Sequence, residues 1–225
     1  MDDVLKEQLT YYNARAREYD ESLQGVGSSA SAPSDFEEAN QEWQQTISAL
    51  HALGPVDEVL ELACGTGIWT QELASIGRSV MAIDGSSEMI KINRAKTGTA
   101  LIEYQCVDLF QWEPEKQYDL VFFAFWLSHV PPSHLLEFLN KVARATKPGG
   151  RIFIVDEPRS DSNISGPNSE DLYQQRTLND GRSFRIVKVY YDPQDIEREL
   201  EKQGFKKQSS MIGRTFFYLS VPRAE

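Results

Sequence analysis

Apolar positions along the chain follow two alternating spacings. Val59-Leu60 with Leu62, Ser79–Ile83, Leu101–Val107, Tyr118–Ala124 and Arg151–Asp156 are short stretches dense in apolar residues. Such runs predict strands covered on both faces, as in a parallel sheet. Between them, Ile68–Ile76, Ser86–Ala95 and a segment capped by Ser133 and running through Ala145 carry helical spacing, the last through Leu135, Leu136, Phe138, Leu139 and Val142. Lys147-Pro-Gly-Gly150 reads as a turn into the fifth strand. Strand and helix in alternation predict an α/β sheet with helices on both faces.

The flanks read differently. Residues 2–20 have a helical stripe of Leu5, Leu9, Tyr12 and Ala16. Residues 23–34 form a small-residue linker. Ser34 or Asp35 then caps a helix to about Leu53, with Phe36, Trp43, Ile47 and Leu50 on its buried side and Gly54-Pro55 ending it. After the fifth strand, residues 157–175 are polar and broken by Pro158, Gly166 and Pro167. An Asn179-Asp180-Gly181 turn precedes an alternating strand, Phe184–Tyr191. Asp192 or Pro193 starts a helix ending near Gly204. Strands Phe205–Ile212 and Thr215–Val221, joined at Gly213-Arg214, close the chain as an antiparallel pair. The expectation is one domain: a helical cap over 1–53, a core over 54–157, a lid or acceptor region within 158–191, and a helix and strand pair over 192–225. No internal repeat is evident.

Candidate chemistry concentrates where the first strand meets Ala63-Cys64-Gly65-Thr66-Gly67. Glycines let the backbone bend tightly and approach a ligand, and the helix that follows points its first N–H groups back at that ligand. Asp84 closes the second strand, where a carboxylate can accept both hydroxyls of a ribose. This is a nucleoside-binding βαβ unit. It departs from the dinucleotide fingerprint, because Thr70 stands where a third glycine or alanine belongs. Glu61, an acid inside the first strand, suits a ligand with positive charge better than a pyrophosphate.

The ordered set resembles the class I S-adenosylmethionine-dependent methyltransferases of the bacterial small-molecule type. Glu61-Leu-Ala-Cys-Gly-Thr-Gly67 is similar to their first motif, with Ala63 in place of the usual first glycine. Ala82-Ile-Asp84-Gly85-Ser resembles the second, and Pro148-Gly-Gly150 the turn before the fifth strand. The resemblance is strong from about 55 to 157 and weak over 158–191. It implies a Rossmann-like, seven-stranded, mostly parallel sheet with a reversed last strand. It also implies S-adenosylmethionine as cofactor, with Asp108 and the backbone of Leu109 at the adenine; Met89 and Ile90, beside Asp84 in the chain, can flank the ring or simply pack. Tyr11-Tyr12 through Tyr19 resembles the tyrosine-rich N-terminal helix that folds over the cofactor in such enzymes; packing against the sheet is the plainer reading of those tyrosines. The expected cofactor residues are Tyr19, Glu61, Ala63, Gly65, Gly67, Asp84, Gly85, Met89, Asp108, Leu109 and Phe125.

The fourth strand's end faces the same crevice, so Phe123, Phe125 and Trp126 are candidates for an apolar wall at the sulfonium. Tyr11, Tyr12, Trp126 and Arg176 are candidates for contact with the acceptor. Arg176, Arg182 and Arg185 lie in or beside the 158–183 lid and can pair with an acidic acceptor or be plain surface cations. His129 is the candidate base; the alternative is that it shapes its turn.

Composition narrows the partners. The 225 residues are 40% hydrophobic and 25% charged, with a net charge of −11. That balance argues against nucleic acid and against an anionic membrane surface. The acidic N-terminus is not a signal peptide, and no apolar run reaches transmembrane length. Cys64 and Cys106 read as two buried thiols in a reducing compartment, so the cytoplasm is the expected location. No metal site is indicated. The reading is methyl transfer to the O, N or C atom of a small molecule. The rivals are a nicotinamide-dependent oxidoreductase on a related fold and a methyltransferase of protein substrates. The sequence leaves oligomeric state open.

Overall fold

The computed structural model describes residues 2–22, 33–159 and 172–225. The expected 23–34 linker and the polar part of the expected lid lie largely outside them. Helix α1 (Asp2–Arg15) and a 3₁₀ turn (Tyr19–Ser22) precede α2 (Pro33–His51). The alternating unit follows: β1 (Val56–Leu62), α3 (Ile68–Ile76), β2 (Gly77–Asp84), α4 (Ser87–Thr97), β3 (Ile102–Cys106) and β4 (Tyr118–Ala124). A 3₁₀ turn (Leu127–His129) leads to α5 (Pro132–Ala145) and β5 (Thr146–Asp156). Beyond these come β6 (Tyr173–Thr177), β7 (Ser183–Val187), α6 (Pro193–Glu201), β8 (Ser209–Ile212) and β9 (Phe217–Pro222).

The seven-stranded sheet runs β3-β2-β1-β4-β5-β9-β8, and β6-β7 form a separate hairpin. Pairs from β3 to β5 are parallel. β9 is antiparallel to β5 and to β8, as expected of the reversed last strand. Alternation divides the core. Leu60, Leu62, Val121, Phe123, Ile152 and Ile154 face one layer with Phe138, Leu139 and Leu200 of α5 and α6. Val59, Leu120, Phe122, Phe153 and Val155 face the other, with Leu50 of α2 and Leu73 of α3. Phe122 and Phe123 are both fully buried on opposite faces, each contributing about 1.5–3 kcal/mol by removal from water. β1 has β2 on one side and β4 on the other, so the chain reverses its direction of winding there. The crevice at the C-terminal ends of those strands is where such sheets bind ligands.

Local expectations needed several corrections. α2 begins at Pro33, one residue before the expected start at Ser34 or Asp35. Pro131, not Ser133, occupies the N-cap of α5, because the Pro131-Pro132 pair pre-sets the first helical turn without a side-chain cap. Lys147–Gly150 is taken into β5, with a register irregularity between Tyr118 and Leu120 opposite it. β7 stops at Val187. The next residues leave the hairpin: Lys188 N–H reaches Leu172 O at 3.0 Å and Val189 N–H reaches Ser128 O at 2.8 Å. Cys64 is buried but Cys106 is exposed, at the end of a strand on the sheet edge. Among the described residues no helix is long and apolar enough to cross a membrane.

Candidate active site

β1 delivers the chain into a turn with left-handed backbone at Ala63 (φ 56), Gly65 (φ 51) and Gly67 (φ 95). Ala63 stands where the resembled motif has glycine. It holds a conformation costing an L-residue about 1–2 kcal/mol, and it does so in the wall of a cavity. Such strain is typical of ligand-binding turns. Phe125, with φ 55, is the second non-glycine residue of this kind and lines the same cavity. Gly67 is not a wall residue. It precedes α3, and a Cβ on it would fall 2.6 Å from Asn93 Oδ1, so glycine is required there for packing.

At the end of β2, the Asp84 carboxylate accepts the backbone N–H of Gly65 at 2.8 Å and of Ser86 at 2.7 Å. A carboxylate has about four lone-pair sites, so about two stay available to hydroxyl donors. Burial raises its pKa to about 6 against these two hydrogen bonds. Gly85, Met89, Asp108, Leu109 and Tyr19 line the same cavity. A Cβ on Gly85 would sit 3.0 Å from Leu9 of α1, which is how closely the cap approaches.

The cap is sewn onto these loops. Thr66 Oγ1 donates to Asp20 at 2.6 Å, and Asp20 also pairs with Lys96. Ser86 Oγ, the N-cap of α4, donates to Asn13 of α1 at 2.8 Å. Sequence reasoning missed this latch, because its residues are far apart in the chain and belong to no motif. It also missed Asn93. Buried on α4, its amide donates to Thr70 Oγ1 at 2.8 Å and approaches Cys64 O and Gly65 O at 3.3 Å. The signal available was a polar residue on the buried stripe of α4.

The same cavity is lined by Tyr12, Phe125, Trp126 and His129, with Leu5 and Gln8 of α1. His129 Nδ1 lies 2.7 Å from Val187 O, a carbonyl that can only accept, so Nδ1 carries the proton. In the neutral ring Nε2 is then an acceptor, and the Tyr12 hydroxyl donates to it at 2.7 Å. Burial, then the charge of Lys188, holds His129 well below the ordinary histidine range. Burial holds the Tyr12 phenol well above its own. The expectation of a general base meets both facts: the Nε2 lone pair is already engaged, and the ring resists protonation. Trp126 packs against Phe110 at 5.4 Å, and its indole N–H is buried without a partner among the described residues.

Besides Gly67, further expected site residues stand off the cavity. Glu61 faces α3 from within the sheet, 1% exposed, and accepts Thr70 Oγ1 at 2.7 Å. Burial lifts its pKa to about 8, so it is largely neutral at pH 7, and a charge-based role for it at the ligand has no support in this geometry. Tyr11 is buried against Phe184 of β7 at 5.7 Å, packing cap to hairpin. Arg176 lies on β6, outside the lining. Among the described residues no group of three or more His, Cys, Asp or Glu could hold a metal ion.

Comparison with known proteins agrees with this arrangement. A family model described as a methyltransferase domain matches residues 59–150. The demethylmenaquinone methyltransferase of Tropheryma whipplei is 31% identical over 116 residues, 51% of this chain and 47% of that protein. The ubiquinone/menaquinone biosynthesis C-methyltransferase UbiE of Teredinibacter turnerae is 26% identical over 184 residues, 72% of each chain. The chain spans about half the length of the first curated relatives it matches. A solved structure, DhpI in complex with SAH, covers 100% of this chain and 98% of its own, at 33% identity and a TM-score of 0.80. DhpI with SAM and HEP covers 98% and 97%, at 35% identity and a TM-score of 0.82. With a relative of that identity aligned from end to end, the chain belongs to the S-adenosylmethionine-dependent methyltransferases.

Proposed function

We propose that this protein transfers a methyl group from S-adenosylmethionine to a small molecule. The observation that carries the reading is that one cavity is lined by Asp84 and Asp108, by Tyr12 and His129, and by Leu5, Gln8 and Leu9 of α1. The residues fit the cofactor. Asp84 has acceptor sites for ribose hydroxyls, Asp108 can accept from the adenine amino group, and Met89 and Leu109 offer apolar faces to the ring. Among the described residues no lysine or arginine lines the cavity, which suits a phosphate-free nucleoside. When bound, the cofactor supplies a methyl group on a sulfonium leaving group, so the protein needs chiefly to hold two reactants in line and exclude water.

The chain's own residues do that work. Tyr12, Tyr19, Phe125 and Trp126 form a wall whose aromatic faces suit a positive charge that is dispersed during transfer. His129 acts as a positioning residue: by accepting from Tyr12 it fixes the phenol and turns its oxygen lone pairs toward the acceptor. The relatives named for quinone biosynthesis are methyltransferases of small molecules, and a cavity roofed by α1 favours that class over a protein side chain.

Calorimetry tests the cofactor half. S-adenosylhomocysteine should bind and a nicotinamide dinucleotide should not. Asp84→Ala should weaken that binding by about 2–3 kcal/mol, the scale of lost hydrogen bonds to a charged group, or roughly 30–150-fold. Unchanged affinity in the folded variant would remove Asp84 from the site. Release of S-adenosylhomocysteine in the presence of small-molecule acceptors tests the other half.

A further inference from the structure

One peptide unit of the glycine turn is gripped on both sides. The Gly65 N–H donates to Asp84 Oδ2 at 2.8 Å. The carbonyl of the same peptide, Cys64 O, accepts from the Asn93 amide at 3.3 Å and from the Gly67 N–H at 3.2 Å. The Asn93 amide also reaches Gly65 O at 3.3 Å and Thr70 Oγ1 at 2.8 Å. Two amide hydrogens therefore serve three acceptors, one hydrogen being shared between the two carbonyls. On the far side, Asn93 Oδ1 accepts from the Tyr104 hydroxyl at 2.8 Å. Exchanging the oxygen and nitrogen of the amide would set an oxygen against two carbonyls, so its orientation is fixed.

Asn93 is fully buried. An amide in that position is unfavourable unless its hydrogen bonds are made, and here both polar atoms have partners. An apolar residue would pack on the same stripe of α4, with Met89 and Ile90, without that demand. What the amide adds is a hold on a strained turn: Ala63 and Gly65 have left-handed backbone, with φ 56 and 51. Such conformations persist where the surroundings over-determine them. The same helix also fixes the other oxygen of Asp84. Ser86, the N-cap of α4, donates its N–H to Asp84 Oδ1 at 2.7 Å. Both backbone donors that aim this carboxylate are thus tied to α4, one through its N-cap and one through Asn93, about two turns further along. Gly65 and Asp84 line the cavity, and Asn93 does not.

We propose that Asn93 is a positioning residue for the cofactor. By holding the Cys64 carbonyl it sets the Gly65 N–H against Asp84, and so sets the direction in which that carboxylate presents its remaining lone pairs to the ribose hydroxyls. The proposal rests on the methyl-transfer reading, which puts the ribose at Asp84. Asn93 itself touches no ligand, so its effect on binding must pass through Asp84. Tyr104 separates this role from support of the fold. Its hydroxyl belongs to the same network and also meets Thr97 Oγ1 at 2.6 Å, but it serves the amide oxygen and not the donors that hold the turn.

The test is a double-mutant cycle read by calorimetric binding of S-adenosylhomocysteine, at a temperature where every variant is folded. Asn93→Ala should weaken binding about tenfold, within the range of coupling between residues of one hydrogen-bond network. In the Asp84→Ala background the same substitution should change affinity by no more than about twofold, because the group it positions is gone. Tyr104→Phe should lower the melting temperature and keep affinity within about twofold of wild type, because the donors to the turn stay in place. Should Asn93→Ala not fold, Asn93→Ser takes its place in the cycle with the same expected pattern: its hydroxyl keeps a polar group in the pocket but is one bond too short for the turn. An equal loss in both backgrounds, unchanged affinity in the Asn93 variant, or a loss as large in Tyr104→Phe overturns the assignment. Failure of S-adenosylhomocysteine to bind wild type instead overturns the methyl-transfer reading itself, and this assignment with it.

Discussion

Glu61→Gln should raise the melting temperature at pH 8 and leave it nearly unchanged at pH 5. The carboxyl group lies within the sheet, 1% exposed, with Thr70 Oγ1 as its hydrogen-bond partner. Burial, against that bond, lifts its pKa from an ordinary 4.5 to about 8, and the nearby Asp84 adds to the rise. The sign follows from proton counting. Between those two values the unfolded chain has lost the proton while the folded chain keeps it, so stability falls as pH rises. At about 1.36 kcal/mol per unit, the loss over that window is of order 3–5 kcal/mol. Glutamine keeps an oxygen for Thr70 and has nothing to ionise, so it removes the loss at pH 8 and changes little at pH 5. For a chain of this size about 3 kcal/mol corresponds to roughly 6–12 °C. Asp84, raised from 3.8 to about 6, adds a smaller term of the same sign at lower pH. The protein without ligand should therefore lose stability from pH 4 to 8. A cationic ligand near this pair should favour ionisation and release protons on binding, which calorimetry in buffers of different ionisation enthalpy would detect. An equal melting-temperature gain for Glu61→Gln at pH 5 and pH 8 would mean that Glu61 is not held protonated.

The same residue shows what the sequence could and could not convey. The core strands were legible because a strand buried on both faces leaves an apolar run: Tyr118–Ala124 was bounded to the residue. Asp84 was legible because it ends such a strand after a glycine turn, where only a few chemistries fit. The carboxylate of Glu61 stood in the same motif, yet its side chain alternates to the face of Val59, away from the cavity. Position in a motif conveys the neighbourhood, and the pleat decides which side of the sheet a residue serves. Gly67 makes the same point, since its glycine is required by Asn93, which follows only after α4 has returned to the sheet. The tyrosine-rich helix was legible as a cap, while the separation of Tyr11 into packing and Tyr12 into the cavity depended on the hairpin that meets it. The latch of Asp20 with Thr66 and Lys96 left no pattern at all, because its partners come from three separate elements.

His129→Ala should lose about 10²-fold in turnover together with stability, and His129→Gln should recover most of both. The ring bridges two elements, donating from Nδ1 to Val187 O of β7 and accepting at Nε2 from Tyr12 of α1. Truncation leaves a buried carbonyl and a buried phenol without partners, costing about 1–3 kcal/mol each. It also frees the Tyr12 ring to turn, and a reacting group misplaced by about 1 Å can cost about 10²-fold. Glutamine has an oxygen to accept from Tyr12 and an amide to donate to Val187, but it cannot take a proton near neutral pH. A base and a positioning residue therefore separate on the glutamine variant. If His129 accepts the acceptor's proton, glutamine should be as poor as alanine, with a loss of roughly 10²–10⁴, and the wild-type rate should rise with pH through the histidine's titration. If it positions Tyr12, glutamine should stay within a few-fold of wild type with a flat profile over the same range. The lowered pKa of the buried ring and the hydrogen bond already occupying Nε2 make the second outcome the expected one. Tyr12→Phe supplies the complement: it should lower turnover as His129→Ala does, with less loss of stability, because His129 keeps its bond to Val187. Single-turnover methyl transfer on protein shown to be folded and saturated with S-adenosylmethionine is the measurement. A glutamine variant as slow as the alanine variant would return His129 to the role of base.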